Sequence, residues 1–380
     1  MIYLDNAATS WPKPERVYQA ADLALRNAAN PGRGGHRFSR ESAQKVLLGR
    51  EALARFFRVA DSRQIIFTAG ATEGINLVIY GLAPQAKKIL SVGFEHNALW
   101  RPLEDVARRF GVKVEYIEPL QAEGFNWTVY RSGLEMKPDV VAITHASNIT
   151  GQIFPLAEMV ELAKGAGALV CVDVAQTAGV VPLNFEALNL DFAIFPGHKG
   201  LLGPQGIGGV YLRPGVRLQP LRLGGTGSNS AAPQPPEQLP DRYESGTINV
   251  PGIAGLAAGI AFLEEKGLEE VWGHEQHLRK RAVAGLRNLG AIIYGCEGPA
   301  VGVLSFNFPG LDSAELAFIL DDVYDICVRG GLHCCPRGHQ SLGTLQQGTV
   351  RISPGIYNTE EDIDNLLAAL AQVRQLEVKI

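Results

Sequence analysis

The stretch "FPGHKGLLGP", residues 195–204, ends an apolar run with a lysine between a histidine and a glycine, and further glycines stand at Gly197 and Gly203. A lysine in this position is either a solvated loop charge or an amine held for chemistry. The run that feeds it, "DFAIF" (191–195), and the run that follows it, "IGGVYL" (207–212), are both apolar. Working outward, five more runs of the same kind appear: "QIIFT" (64–68), "KILSV" (88–92), "VKVEYI" (112–117), "VVAIT" (140–144) and "ALVCVD" (168–173). Apolar strands separated by amphipathic helical stretches predict an α/β fold built on a mainly parallel sheet of seven strands, covered on both faces. Only the lysine loop separates the last two runs, which allows one antiparallel member. Ligands of such sheets gather at the carboxyl ends of the strands, and Lys199 stands at one.

The bulk numbers restrict the alternatives. The chain has 380 residues, enough for more than one domain, and 46% hydrophobic against 19% charged residues describes a globular protein rather than a disordered one. A net charge of −4 without a long basic run gives no footprint for nucleic acid or an anionic membrane. No apolar run reaches membrane-span length. The opening "MIYLDNAATSWPKPE" lacks the basic and apolar blocks of a signal peptide, so a cytoplasmic location is expected. Five scattered cysteines, Cys171, Cys296, Cys327, Cys334 and Cys335, do not form a disulfide framework. No histidine or cysteine spacing predicts a metal site.

Beyond the sheet, "LGGTGSNSAAPQPPEQLP" (223–240) reads as a long loop of the functional or mobile kind. "PGIAGLAAGIAFLEEKG" (251–267) reads as a helix begun by Pro251 and closed by Gly267. From about 268 onward, helices flank the strand candidates "VLSFNF" (303–308) and "TVRIS" (349–353), which predicts a smaller α+β domain.

Neither the dinucleotide fingerprint G-x-G-x-x-G nor a P-loop occurs, so a ligand must be held in another way. In "FTAGATEGINLV" a strand runs into Gly70, Ala71 and Thr72, with a helix starting near Glu73. Its free N–H groups and helix dipole would suit a phosphate, although an ordinary strand-turn-helix connection reads the same. In "CVDVAQTAG", Asp173 ends a buried strand; it serves equally as a helix cap or as the partner of a protonated heterocyclic nitrogen. Lys199 follows at the end of the next strand. A phosphate cradle, a buried acid and a lysine on strand ends match the needs of pyridoxal phosphate. The phosphate anchors it, the acid keeps its ring nitrogen protonated, and the lysine holds its aldehyde as a Schiff base.

The set "YLDNAATS" (3–10), "FTAGATEGIN" (67–76), "EHNA" (95–98), "DVAQ" (173–176), "GHKGLLGP" (197–204), "YESGT" (243–247) and "RGGLHC" (329–334) resembles the cysteine desulfurases. These are pyridoxal-phosphate enzymes of fold type I in the class V aminotransferase group. The likeness implies a large cofactor-binding domain over 15–255 and a small α+β domain over 1–14 and 256–380. It also implies roles. Lys199 carries the cofactor and moves the substrate's α-proton, Asp173 pairs with the ring nitrogen, and Gln176 bonds the phenolic oxygen. His96 stacks on the ring and Asn148 lies beside ring and substrate. Ala71, Thr72 and His198 bind the phosphate, aided by Gly246 and Thr247 from the neighbouring subunit of a homodimer with shared sites. Where the family often has a serine phosphate ligand, this chain has Pro196, which offers neither hydroxyl nor N–H. Arg351 in "TVRISPGIYNT" matches the substrate-carboxylate clamp, a task suited to a planar guanidinium; read alone, it is better taken as a strand-edge arginine in a surface ion pair.

"VRGGLHCCPRGH" (328–339) sets two cysteines in a loop bounded by glycine and proline, with Arg329, His333, Arg337 and His339 around them. Nearby positive charge favours a thiolate. Alignment on the family motif makes Cys334 the catalytic position and leaves Cys335 as the weaker alternative. The resemblance implies that sulfur from L-cysteine passes to Cys334 as a persulfide with release of alanine. It further implies selenocysteine as an additional substrate, a sulfur-acceptor protein as partner, and iron–sulfur cluster assembly as a use.

Overall fold

The computed structural model describes residues 1–377 apart from 33, 119, 122, 123, 229, 230, 296 and 297, so Cys296 lies outside the described residues. The seven expected runs all become strands: β1 Ile65–Thr68, β2 Lys88–Val92, β3 Lys113–Ile117, β4 Val140–Thr144, β5 Leu169–Asp173, β6 Phe192–Pro196 and β7 Gly208–Leu212. They form one sheet in the order β1-β7-β6-β5-β4-β2-β3. β7 runs antiparallel to both its neighbours, while the other pairs are parallel.

The inner strands are mostly apolar because each face feeds a separate core, while the edge strand β3 carries Lys113 and Glu115. Val141 and Ile143 of β4 enter one core with Val170, Val172 and Phe195. Val140 and Ala142 enter the other with Cys171, Phe192 and Ile194. Helices Ala71–Leu82 and Asn97–Phe110 cover the second face with Ile75, Val78, Leu99 and Leu103. Helices Arg37–Phe56, Leu156–Gly165 and Val250–Lys266 contribute to the first.

A second, antiparallel sheet of three strands follows: β8 Ile292–Tyr294, β9 Leu304–Asn307 and β10 Val350–Ile352, with β9 central. Helices Leu268–Asn288, Ser313–Tyr324 and Glu360–Glu377 back it, and the core they share includes Leu278, Phe306, Leu316, Ile352 and Leu366. The N-terminus joins this part, since Ile2–Tyr3 pairs in parallel with Ile326–Cys327 and Leu4 enters the same core.

The helix begun by Pro251 is present as Val250–Lys266, capped by the Asn249 side chain and closed at Gly267 with φ of 85°. It runs unbroken through the expected domain boundary at 255, and Ile253, Leu256, Ile260 and Leu263 are buried in the large core. Its buried positions on both sides of 255 belong to that one core, so we draw the boundary after this helix, at Gly267.

Candidate active site

The carboxyl ends of β1, β4, β5 and β6 open onto one cavity of about 720 Å³, within the size range of cofactor sites. Its wall includes Ala71, Thr72, His96, Asn148, Asp173, Gln176, Pro196, His198, Lys199 and Arg351. Ten residues spread over nearly the whole sequence are therefore brought to one place. Gly246 and Thr247 are not: they are exposed and line an adjacent hollow that shares Ala69, Glu73 and Gly206 with the cavity rim.

Lys199 leaves β6 on a loop held by close backbone contact. A Cβ on Gly200 would lie 2.6 Å from the Ala178 carbonyl, and one on Gly179 would lie 2.3 Å from Gly200. Burial lowers the Lys199 amine to about 8; Asp173 opposes that shift, while Arg351 and Arg329 add to it. Asp173 itself is buried and held above the usual carboxylate range by desolvation, against the Ala175 N–H at 2.9 Å and the charge of Lys199. Such a carboxylate is costly to keep ionised without a cation facing it.

His96 caps helix Asn97–Phe110, its Nδ1 accepting the Ala98 N–H at 3.0 Å. Burial, with Lys199, Arg329 and Arg351 nearby, lowers it to about 4, so the ring is neutral and can lie over an aromatic face. His198 is likewise lowered to about 4 by burial and by Lys199 and Lys13. The helix after β1 starts at Ala71, two residues earlier than expected, and no side chain caps it. Its first-turn N–H groups therefore face the cavity at Ala71 and Thr72. Gln176 Nε2 donates to the Ala7 carbonyl at 3.3 Å. Pro196, the last residue of β6, sits in the wall.

Arg351 is the largest fully buried side chain, and its fork is engaged: one nitrogen donates to Asp5 Oδ1 at 2.6 Å and another to the Asn148 carbonyl at 3.1 Å. It is thus no surface ion pair. Asp5, in contact across almost the whole chain, is a partner of Arg351 that sequence reasoning missed; its only signal was its place within "YLDNAATS".

The cysteine loop arrives at the same wall through Arg329 and His333. The Arg329 guanidinium donates to Cys334 Sγ at 3.3 Å. Two carbonyls of the loop are tied to the cavity, His333 to Asn148 Nδ2 at 2.6 Å and Cys334 to the Asn97 N–H at 2.7 Å. The expectation of four cations around the thiols needs correction. His333 and His339 are buried and neutral, bonded to Thr349 and Thr344. Arg337 turns to Glu95, Glu118 and the Tyr116 ring. Of the four, only Arg329 meets Cys334. Cys334 is half-buried, whereas Cys335 is fully buried in the large core, its thiol pushed far up by desolvation.

These surroundings fit pyridoxal phosphate. Asp173 is a buried acid suited to a cationic ring nitrogen, the uncapped helix suits a phosphate, and His198 Nδ1 and Asn148 Oδ1 are buried in the wall without a protein partner. Among the described residues no group of three or more His, Cys, Asp or Glu is arranged for a metal ion, and no helix is long and apolar enough to cross a membrane.

Comparison with known proteins identifies the family. The family model described as aminotransferase class-V matches residues 2–366. A probable cysteine desulfurase of Pyrococcus abyssi is 36% identical, the match covering 98% of this chain and 94% of that one. A cysteine desulfurase of Klebsiella pneumoniae is 34% identical over 99% and 94%. Among solved structures, an apo cysteine desulfurase from Thermococcus onnurineus superposes with a TM-score of 0.91 at 35% identity, covering 98% of this chain and 94% of that one. Matched over almost its whole length by that family and by relatives of this similarity, the chain belongs to the cysteine desulfurases of the class V aminotransferase family, which depend on pyridoxal phosphate.

Proposed function

We propose that this protein removes sulfur from L-cysteine, releases L-alanine, and carries the sulfur as a persulfide on Cys334. The observation that supports this best is the meeting, in one cavity, of Lys199, Asp173 and Arg351 with Arg329, whose guanidinium touches the Cys334 thiol. Bound through Lys199, pyridoxal phosphate supplies an electron sink for bonds at the α-carbon. The rest falls to the protein. Asp173 would hold a positive charge on the ring nitrogen, His96 would stack on the ring, and Gln176 and Asn148 would contact it from the cavity wall. Ala71, Thr72 and His198 would hold the phosphate. Arg351, oriented by Asp5 and the Asn148 carbonyl, would meet the substrate carboxylate with its remaining N–H groups. Lys199, with its amine lowered to about 8, has a neutral fraction near physiological pH able to take the α-proton and return it. The Cys334 thiolate, held by Arg329, then attacks the substrate sulfur: an S–S bond forms, the C–S bond breaks, and the electron pair stays with the β-carbon, which takes up a proton to become the alanine methyl.

Selenocysteine fits the same site and its weaker bond to carbon leans less on Cys334. The described cysteines are all free, which suits a reducing cytoplasm. A half-buried Cys334 can pass sulfur to an acceptor protein. We also read Gly246 and Thr247 as donors to a partner's phosphate site within a homodimer.

The test is alanine release and cyanide-labile sulfur after incubation with L-cysteine. Cys334→Ser should lose the persulfide and roughly 100-fold or more of alanine formation, whereas Cys335→Ser should keep both if it folds. Undiminished alanine release by Cys334→Ser would remove Cys334 from the reaction.

A further inference from the structure

The N-terminal segment reaches the active site at two places. After Leu4 leaves the small-domain core, Asp5 binds Arg351, and Ala7, Ala8 and Thr9 line the cavity. At the far end of the segment, four donors converge on one carbonyl oxygen, that of His198, the residue before Lys199. They are the Ser10 N–H at 3.0 Å, Ser10 Oγ at 3.1 Å, Thr9 Oγ1 at 3.1 Å and Lys13 Nζ at 3.2 Å. A carbonyl oxygen has two lone pairs, so this concentration exceeds what satisfying the group requires. It holds the peptide plane against rotation.

Lys13 is the unusual member. Its ammonium also donates to the Ser10 carbonyl at 3.0 Å and to Ser10 Oγ at 2.9 Å. All three protons are thus directed to two carbonyls and a hydroxyl, and none to a carboxylate. Burial lowers this amine to about 8. A lysine released to solvent would avoid that penalty, so its retention needs a reason, and the reason is what it grips.

We propose that Lys13 is a positioning residue for Lys199: by clamping the His198 carbonyl it fixes the peptide from which the reactive amine projects. The inference rests on reading Lys199 as the cofactor's attachment point. The amine must leave the cofactor, move a proton and return to the same atoms, so its backbone origin has to stay put. Misplacement of a reacting group by about 1 Å can lower a rate about 100-fold. The same segment orients Arg351 through Asp5, so one stretch of chain aims both the amine and the carboxylate clamp.

The experiment uses the holoenzyme with Lys13→Met, Lys13→Arg and Ser10→Ala. Borohydride reduction and peptide mapping of the unaltered holoenzyme come first; a label away from Lys199 would overturn the underlying reading and is separate from the outcomes below. For Lys13→Met, kcat for alanine release should fall about 10- to 100-fold with KM nearly unchanged. The visible circular dichroism per bound cofactor should weaken as well, and Lys13→Arg should restore most of both. Unchanged kcat and dichroism overturn the proposal. So does a loss of activity that merely follows the unfolded fraction while the dichroism per bound cofactor stays constant. Should Lys13→Met not fold, Ser10→Ala decides: smaller losses in both readouts support the clamp, and unaltered values reject it.

Discussion

Two adjacent thiols meet different surroundings because His333 and Cys334 both take left-handed backbone, at φ of 49° and 57°. For non-glycine residues that conformation costs about 1–2 kcal/mol each, and the bonds from Asn148 and Asn97 hold it. The turn leaves Cys334 beside Arg329 and drives Cys335 into the core. Cys335 is thus a packing residue beneath the loop, near Gly338. Lys199 gives a second residue-level prediction. In the apoprotein, pulse acylation with peptide mapping should find its reactivity rising through a midpoint near 8, well below the ordinary lysine value of about 10.4. Burial disfavours the ammonium and the Asp173 charge favours it, so Asp173→Asn should move the midpoint lower still. A midpoint that rises in that variant would contradict the assignment of Asp173 as the facing acid. Lys199 and Asp173 were legible in the sequence because Asp173 ends an apolar strand and Lys199 follows closely after another, where a charge needs a reason. Asp5 and the choice of Arg329 over Arg337 were not, since both depend on side chains that meet only after the chain folds.

Between strands and helices, glycines set the distances on which the site depends. Helix Ala71–Leu82 lies so close to the sheet that a Cβ on Gly74 would come within 2.8 Å of Val210 Cγ2 and 2.9 Å of Ile194 Cγ2. Helix propensity favours a change to alanine by about 0.8–1 kcal/mol, which partly offsets the crowding, so alanine is a poor test. Valine adds bulk on top of the clash, and overpacking of this kind costs about 1–3 kcal/mol. Gly74→Val should therefore lower the melting temperature. It should also weaken pyridoxal phosphate binding, measured by titration of the apoprotein, because the helix N-terminus shifts from the phosphate. A lower melting temperature with undiminished affinity would separate that helix from the cradle. The inner strands were readable as near-continuous apolar runs, since both faces are buried, whereas the edge strand β3 carries Lys113 and Glu115. The membership of helix Val250–Lys266 was not. Its Gly255 and Gly259 pack against Pro204 and Leu201, where a Cβ would come within 2.5 Å of each. A glycine in a helical pattern says only that something approaches closely, and here that is the tail of the lysine loop.

Across the whole molecule, the site is assembled from both parts of the chain, with the small domain providing Arg351, Arg329, Cys334 and the N-terminal segment. One region still stands apart. Gly246 and Thr247 are exposed in a hollow that borders the cavity without joining it, although their motif "YESGT" belongs to the same family resemblance as that of Lys199. Thr72, at the head of the phosphate helix, is exposed too. If both belong to one phosphate site completed by a second subunit, two inactive variants should rescue each other. Lys199→Ala removes the amine, and Thr247→Asp sets a negative charge against the phosphate, which should repel it. In a mixed dimer, one of the two sites would combine an intact Lys199 from one subunit with an intact Thr247 from the other. Co-expression with two different affinity tags, followed by tandem purification, should then yield alanine release from L-cysteine where either variant alone yields almost none. Were Thr247 to act within its own subunit, every site in that mixed dimer would carry one defect and no activity would return. Recovery therefore requires both a stable dimer and a site shared across it, and a silent heterodimer would assign Gly246 and Thr247 to the adjacent hollow of their own chain.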